Sequence, residues 1–329
     1  MQQWVKNVLL SDKRNALPIM THPGIDFIGK NVQDAVTNGQ VHFDAIVALQ
    51  KHYPAIAATM IMDLTVEAEA FGSPISFAPH EVPSVSGRIV TDLESVQALK
   101  VPTLEAGRVP QYLLAGKLAA EHIADVPVLA GCIGPFSLAG RLFDMTEIMT
   151  AAFIEPETVK LLLNKCTDFI ISYIKAFKAN GVNGVLIAEP AAGMLSEDMC
   201  DQFSSIFVKK IVEETQDENF TVILHNCGNT GHVTQSMVST GAAGLHFGNK
   251  IDMTEVLRTV PSNVLVLGNL DPVGVFKMGT PKSMKAAVAE LLDKTKEYKN
   301  FVLSSGCDTP PGVPSENIDA FFDAVNNWK

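Results

Sequence analysis

The sequence predicts an α/β protein built as a (β/α)8 TIM barrel. Three observations predict it: a series of short apolar runs, helix-like stretches between them, and polar or glycine-containing turns where the runs end. Eight runs meet the description: 17–22 (LPIMTH), 56–63 (IAATMIMD), 127–133 (PVLAGCI), 184–189 (GVLIAE), 221–226 (TVILHN), 243–248 (AGLHFG), 264–269 (VLVLGN) and 301–306 (FVLSSG). None alternates strictly, which suits parallel strands buried on both faces. Eight strands point to a closed barrel; counting leaves a doubly wound open sheet as the alternative.

Between the runs, residues 157–179 place Leu161, Leu162, Lys165, Phe169 and Tyr173 at helical spacing. Residues 282–297 do the same with Ala286, Leu291 and Leu292 among Lys and Glu. Two segments interrupt the alternation. Residues 71–93 mix Pro with Ser, Val and Ile and read as a β-hairpin or cover loop. Residues 133–150 (IGPFSLAGRLFDMTEIMT) read as a helical lid. Both directly follow predicted strands, where the loops of a barrel build its active site. With no repeat, low-complexity tract or linker, residues 1–329 are expected to form one domain with an elaborated N-terminal portion.

The chain is 47% hydrophobic and 19% charged, enough for a large core. A formal net charge of -11 argues against the basic face of a nucleic-acid binder. No stretch reaches the roughly 18 apolar residues of a membrane span. The start, MQQWVKNVLLSDKRN, lacks the parts of a signal peptide. Five widely spaced cysteines do not form a disulfide framework, so a reducing, cytoplasmic setting is expected.

The most informative residues are His225 and Cys227, in LHNCG at the end of the fifth run. In a strand, residues two apart point to the same side. Cys307 holds the corresponding place after the eighth run, in SSGCD. One imidazole and two thiolates suit Zn2+, and three protein ligands leave a fourth position for a substrate. A His–x–Cys pair alone fits equally a satisfied core histidine beside a buried thiol. Gly228 and Gly306 favour the metal by promising space beside the thiols. Cys132, Cys166 and Cys200 read as small core residues.

The segments PIMTHPGIDFIGK (18–30), MDLTVEAEAFGSP (62–74), AGCIGPFSLAGRL (130–142), LHNCGNT (224–230), GNLDP (268–272) and LSSGCDTPPGVPSENI (303–318) extend over nearly the whole chain. Through them the sequence resembles the uroporphyrinogen decarboxylase superfamily and, within it, the methylcobamide:coenzyme M methyltransferases. The resemblance implies a (β/α)8 barrel with zinc on His225, Cys227 and Cys307. It also implies transfer of a methyl group from a methylated corrinoid such as methylcobalamin, carried by a partner corrinoid protein, to a small thiol such as coenzyme M. The alternative is a tetrapyrrole decarboxylase of the same superfamily. That branch carries an Arg-rich segment near its N-terminus, whereas the equivalent stretch here reads NALPIMTHPGID, with no Arg after Arg14. Gripping several carboxylates without that cluster is electrostatically implausible.

Further candidates follow. Glu189, in AEPAAG, is a possible extra zinc ligand, with a solvated loop carboxylate as the plain alternative. Asp63, which aligns with the decarboxylase aspartate, and Glu67 are candidates to orient ligands or bind substrate. His22 and His246 fall at strand ends, as supports for the metal ligands or as lining of a corrinoid-facing mouth. For His246 a packed polar residue is the plainer reading. Asp271 is expected to order its loop by capping.

Overall fold

The computed structural model describes residues 3–328; residues 1, 2 and 329 of the expected 1–329 domain lie outside the described residues. Its strands are β1 (Ala58–Thr59), β2 (Ile75–Ala78), β3 (Glu81–Val85), β4 (Val128–Ile133), β5 (Gly184–Ala188), β6 (Thr221–Asn226), β7 (Gly244–Phe247), β8 (Leu265–Leu270) and β9 (Phe301–Ser305). Seven of these form one parallel sheet in the order β1-β4-β5-β6-β7-β8-β9, while β2 and β3 pair antiparallel. The sheet curls into the (β/α)8 barrel with its helices outside. The hairpin predicted at 71–93 is present, and helices Pro135–Phe143 and Met145–Ile154 fill the predicted lid segment. The long helix expected at 157–179 spans Pro156–Ala179, and that expected at 282–297 spans Pro281–Lys294. Among the described residues no helix is long and apolar enough to cross a membrane.

The first predicted run does not become a regular strand. It contributes a single parallel bridge, Ala16 to Leu303. The backbone N–H of Leu17 donates to Leu303 O (2.9 Å), that of Leu303 to Asn15 O (3.0 Å), and that of Ile56 to Ala16 O (3.1 Å), so the segment still closes the gap between β9 and the approach to β1. The ladder stops because Pro18 has no N–H to donate and because hydroxyls of β9 take its place. The Ile19 N–H donates to Ser305 Oγ (3.0 Å), which is also 3.2 Å from Ile19 O, while Ser304 Oγ donates to Leu17 O (2.6 Å). The second run, predicted as 56–63, is regular only at Ala58–Thr59. Beyond it, the Ile61 N–H donates to Nε2 of buried His42 (2.9 Å), whose pKa burial lowers to about 3, keeping the ring a neutral acceptor.

Alternation along the strands sorts the core into two layers. Leu129, Leu186, Ile223, Leu265, Leu267 and Val302 pack together with Leu17 and Ile19 inside the barrel. Their neighbours Ala130, Val185, Val222, Leu224, Val266 and Leu303 pack against the surrounding helices. Val5 and Val8 of helix Gln3–Leu10 join the inner layer, and Trp4 Nε1 donates to Thr221 Oγ1 at the start of β6 (3.0 Å), so this helix closes the end where the strands begin. The same alternation continues upward from the inner layer. His225 lies two residues beyond Ile223, His246 two beyond Gly244, Asn269 two beyond Leu267, and Ser304 two beyond Val302. Four polar side chains are thereby directed into one lumen at the opposite end.

The seam depends on the Ser305 hydroxyl. Ser305→Ala removes its bonds to Ile19 and leaves a buried N–H without a partner. This is expected to cost about 1–3 kcal/mol, read as a lower urea midpoint at unchanged m-value. An unshifted midpoint would show that the bridge at Ala16 closes the barrel alone.

Candidate metal centre and mouth cavity

His225 Nε2, Cys227 Sγ and Cys307 Sγ converge at the end of β6 and just beyond β9. Ligand atoms of the three residues all lie within 4.8 Å of one another, with Cys307 Sγ 3.7 Å from His225 Nε2. His225 is buried and the two thiols are partly exposed. Cys132, by contrast, has the parity of Ala130 and packs toward the helices, and Cys166 and Cys200 lie in the same layer.

The orientation of His225 is set by a chain of hydrogen bonds that ends on a backbone carbonyl. Leu17 O can only accept, so Ser304 Oγ spends its proton there (2.6 Å). Ser304 Oγ must then accept from His246 Nε2 (2.8 Å), which leaves His246 Nδ1 as a bare acceptor. His225 Nδ1 lies 2.8 Å from that atom and must donate to it. The remaining nitrogen, His225 Nε2, therefore presents its lone pair toward the thiols. Burial, and secondarily His225 itself, hold the pKa of His246 well below its ordinary value, which keeps this ring neutral.

The thiols are coupled in the same way. A hydrogen bond from Cys307 lowers the Cys227 pKa to about 7, against the opposing effect of burial. The Cys307 thiol is pushed up, first by that hydrogen bond and then by burial. One thiolate is thus accessible near neutral pH beside a bare imidazole nitrogen. A borderline-soft divalent cation fits this donor set.

The glycines act differently from expectation. Space beside Gly228 and Gly306 is filled by backbone: an added Cβ would lie 2.5 Å from Pro190 O in one case and 2.5 Å from Asn249 N in the other. Gly248, not singled out in the sequence, backs Cys227 directly, since a Cβ there would lie 2.6 Å from Cys227 O. Asn269 fixes that loop by donating to Gly248 O (2.9 Å) and Ile251 O (2.7 Å). Asp271 caps the turn that follows, accepting from Val273 and Gly274 N–H groups at 2.9 Å, as expected from the sequence.

Glu189 stands outside the metal group and is not a solvated carboxylate either. Its two oxygens accept the N–H groups of Phe136 (2.9 Å) and Ser137 (2.6 Å), the first turn of helix Pro135–Phe143. The helix starts there because Pro135 suits the first turn and the carboxylate satisfies its free N–H groups. Burial raises the Glu189 pKa to about 7, although those hydrogen bonds oppose the shift.

Asp63 is similarly engaged. Its Oδ2 accepts from Arg108 (2.5 Å) and Tyr112 (3.3 Å), and its Oδ1 from the N–H and hydroxyl of Thr65 (2.9 and 2.7 Å). Glu67 accepts the Ile133 N–H at 3.0 Å, its other oxygen is buried without a partner, and burial raises its pKa to about 8.

His246 does not line the mouth: it is fully buried, with both ring nitrogens used inside the barrel. His22 does line a mouth cavity of about 450 Å3, with Met62, Leu64, Arg141, Asp308 and hairpin residues Val82 and Pro83. Its Nδ1 lies 3.0 Å from Thr309 O. Ser304, Asn269 and Arg141 escaped the sequence reading. Parity with Val302 and Leu267 marks the first two, and a lone charge in the helix PFSLAGRLF marks the third.

The chain belongs to the uroporphyrinogen decarboxylase (URO-D) family, whose profile matches residues 13–328. Within that family it is an enzyme of the methyltransferase branch. The methylcobamide:CoM methyltransferase MtbA of Methanosarcina acetivorans is 31% identical over 83% of this chain and 80% of its own length. MtaA of Methanosarcina barkeri, of the same description, is 26% identical over 92% and 89%. A uroporphyrinogen decarboxylase from Pseudoalteromonas translucida is 25% identical over 88% and 84%. In three dimensions a methyltransferase from Methanosarcina mazei superposes with a TM-score of 0.89, covering 98% of this chain and 97% of that one at 26% identity.

Glu67 supplies a pH test. Its folded-state pKa, about 8 against an ordinary 4.5, means that the folded protein holds a proton that the unfolded chain releases. The associated stability is complete below about pH 4.5 and is lost as pH rises toward 8. Glu67→Gln keeps an acceptor for Ile133 and removes the ionisation. Thermal melts from about pH 5 to pH 8 should fall less steeply for the variant; parallel curves would place the proton elsewhere.

Proposed function

We propose that this enzyme transfers a methyl group from a methylated corrinoid, presented by a partner corrinoid protein, to a small thiol such as coenzyme M. In this reading His225, Cys227 and Cys307 hold a zinc ion. The observation that carries it is the convergence of one bare imidazole nitrogen and two thiols at the strand ends, where Asp308, next to Cys307, lines the mouth cavity. The names of the Methanosarcina relatives support the same chemistry.

Zinc bound there would hold the acceptor sulfur as a thiolate at neutral pH, where a free thiol, with a pKa of about 8.5, is mostly protonated. The remaining work falls to the chain. His246 and Ser304 keep His225 Nε2 unprotonated and aimed, while Gly248 and Asn269 fix the backbone of Cys227. Met62, Leu64, Val82 and Pro83 give the mouth cavity apolar walls. The acceptor sulfur bonds to the methyl carbon as the carbon–cobalt bond breaks, and the electron pair of that bond stays with cobalt. Asp63, with both oxygens engaged by Arg108, Tyr112 and Thr65, is not free to meet a substrate, which disfavours the decarboxylase alternative.

Two variants test the reading. Cys307→Ala should lower zinc content and abolish methyl transfer from methylcobalamin to coenzyme M, with the circular dichroism of the folded protein retained. Full activity with undiminished zinc would end the proposal. His246→Phe keeps the volume and removes the acceptor for His225 Nδ1. Zinc affinity, measured by competition with a chromophoric chelator, should fall about 10–100-fold, and unchanged affinity would show that His225 needs no such support.

A further inference from the structure

The chain contains five arginines, and four have an evident place. Arg14 donates to backbone carbonyls, Arg88 faces Glu147, Arg108 is saturated by Asp63, Glu69, Thr65 and Val36 O, and Arg258 is exposed. Arg141 is different. It is half-buried near the end of helix Pro135–Phe143, and among the described residues no hydrogen bond or ion pair reaches it. The acidic groups that act on it through space are Asp63 and Glu67. Asp63 is spent on Arg108 and Tyr112, and Glu67, with its pKa raised to about 8, is mostly protonated at neutral pH. A guanidinium carries five donors and stays charged. Its donors line the mouth cavity with no protein acceptor, where an anionic ligand can engage them.

The cavity it lines supplies the place. Arg141 shares the roughly 450 Å3 mouth cavity with Asp308, the residue that follows Cys307 in the chain. Met62, Leu64 and Pro310 add apolar lining to the same cavity. The Asp308 Oδ1 is buried without a partner, so that end of the cavity offers a ligand an acceptor atom, and the guanidinium is the group suited to an anion.

We propose that Arg141 is the specificity-determining residue of the acceptor site, receiving the single anionic group, sulfonate or carboxylate, of a short thiol whose sulfur lies at His225, Cys227 and Cys307. This rests on the methyl-transfer reading, which names a thiol but no residue that recognises its far end. Glu189 serves the same purpose indirectly, as a positioning residue, by anchoring the first turn of the helix that carries Arg141.

The test compares kcat/KM for 2-mercaptoethanesulfonate and 3-mercaptopropionate with that for neutral 2-mercaptoethanol, using methylcobalamin as donor. In the unaltered enzyme the anionic thiols should be preferred, and the two acids show which anion fits. Arg141→Gln should lower the anionic-to-neutral ratio about tenfold or more, with Arg141→Lys retaining part of it. An unchanged ratio in Arg141→Gln overturns the proposal. If no thiol is methylated, the methyl-transfer reading fails separately. Calorimetric titration with ethanesulfonate and propionate, which lack a thiol, then reads the anion site alone. Binding that Arg141→Gln removes supports the site, and no binding to the unaltered protein refutes it. Circular dichroism of both variants guards against misfolding.

Discussion

A backbone carbonyl cannot donate a hydrogen bond, and at Leu17 that restriction reaches the chemistry of the barrel mouth. Ser304 must give its proton to this oxygen, His246 must give one to Ser304, and His225 must give one to His246. Each step has a single consistent direction once the first is fixed. The result is an imidazole with its lone pair facing two thiols, set by a residue far away in sequence. Pro18 and the serines of β9 belong to the same arrangement, because a regular ladder here would engage Leu17 O otherwise.

Strand parity places the participants. Side chains two residues apart share a face, so inner-layer residues such as Ile223 and Val302 lead upward to His225 and Ser304. The barrel thus separates its tasks by height, with apolar packing toward the start of the strands and polar contacts at their ends. Parity brings His225 to the mouth, and the turns that follow β6 and β9 bring Cys227 and Cys307 to it. Cys132, whose strand parity is that of Ala130, packs toward the helices instead.

Much of this was legible in the sequence. Apolar runs marked every strand of the main sheet, since burial on both faces leaves a continuous signature, and the His–x–Cys spacing marked the donors. The first run misled because its composition is that of a strand while Pro18 and neighbouring hydroxyls decide its hydrogen bonding. Glu189 and Asp63 were visible as carboxylates near strand ends, but the partners of Glu189 come from the preceding βα unit and Arg108 lies 45 residues from Asp63. Phe136, Ser137 and Arg108 are found only when the chain is folded. Arg141 was unreadable for a related reason: a lone arginine in a helix is ordinary, and only the absence of a partner in a half-buried place gives it meaning.

The contact between Glu189 and helix Pro135–Phe143 ties successive repeats of the barrel together. The helix belongs to the unit that begins with β4, yet the groups at its start are satisfied from the end of β5. Gly134 makes the approach possible, since a Cβ there would lie 2.5 Å from the Glu189 carboxylate. The barrel is therefore not a string of interchangeable modules. A fragment cut after the long helix Pro156–Ala179 would contain the lid helix but not the residue that anchors it, so neither half carries a finished rim. Reassembly from two pieces would have to form this join before the mouth could take shape.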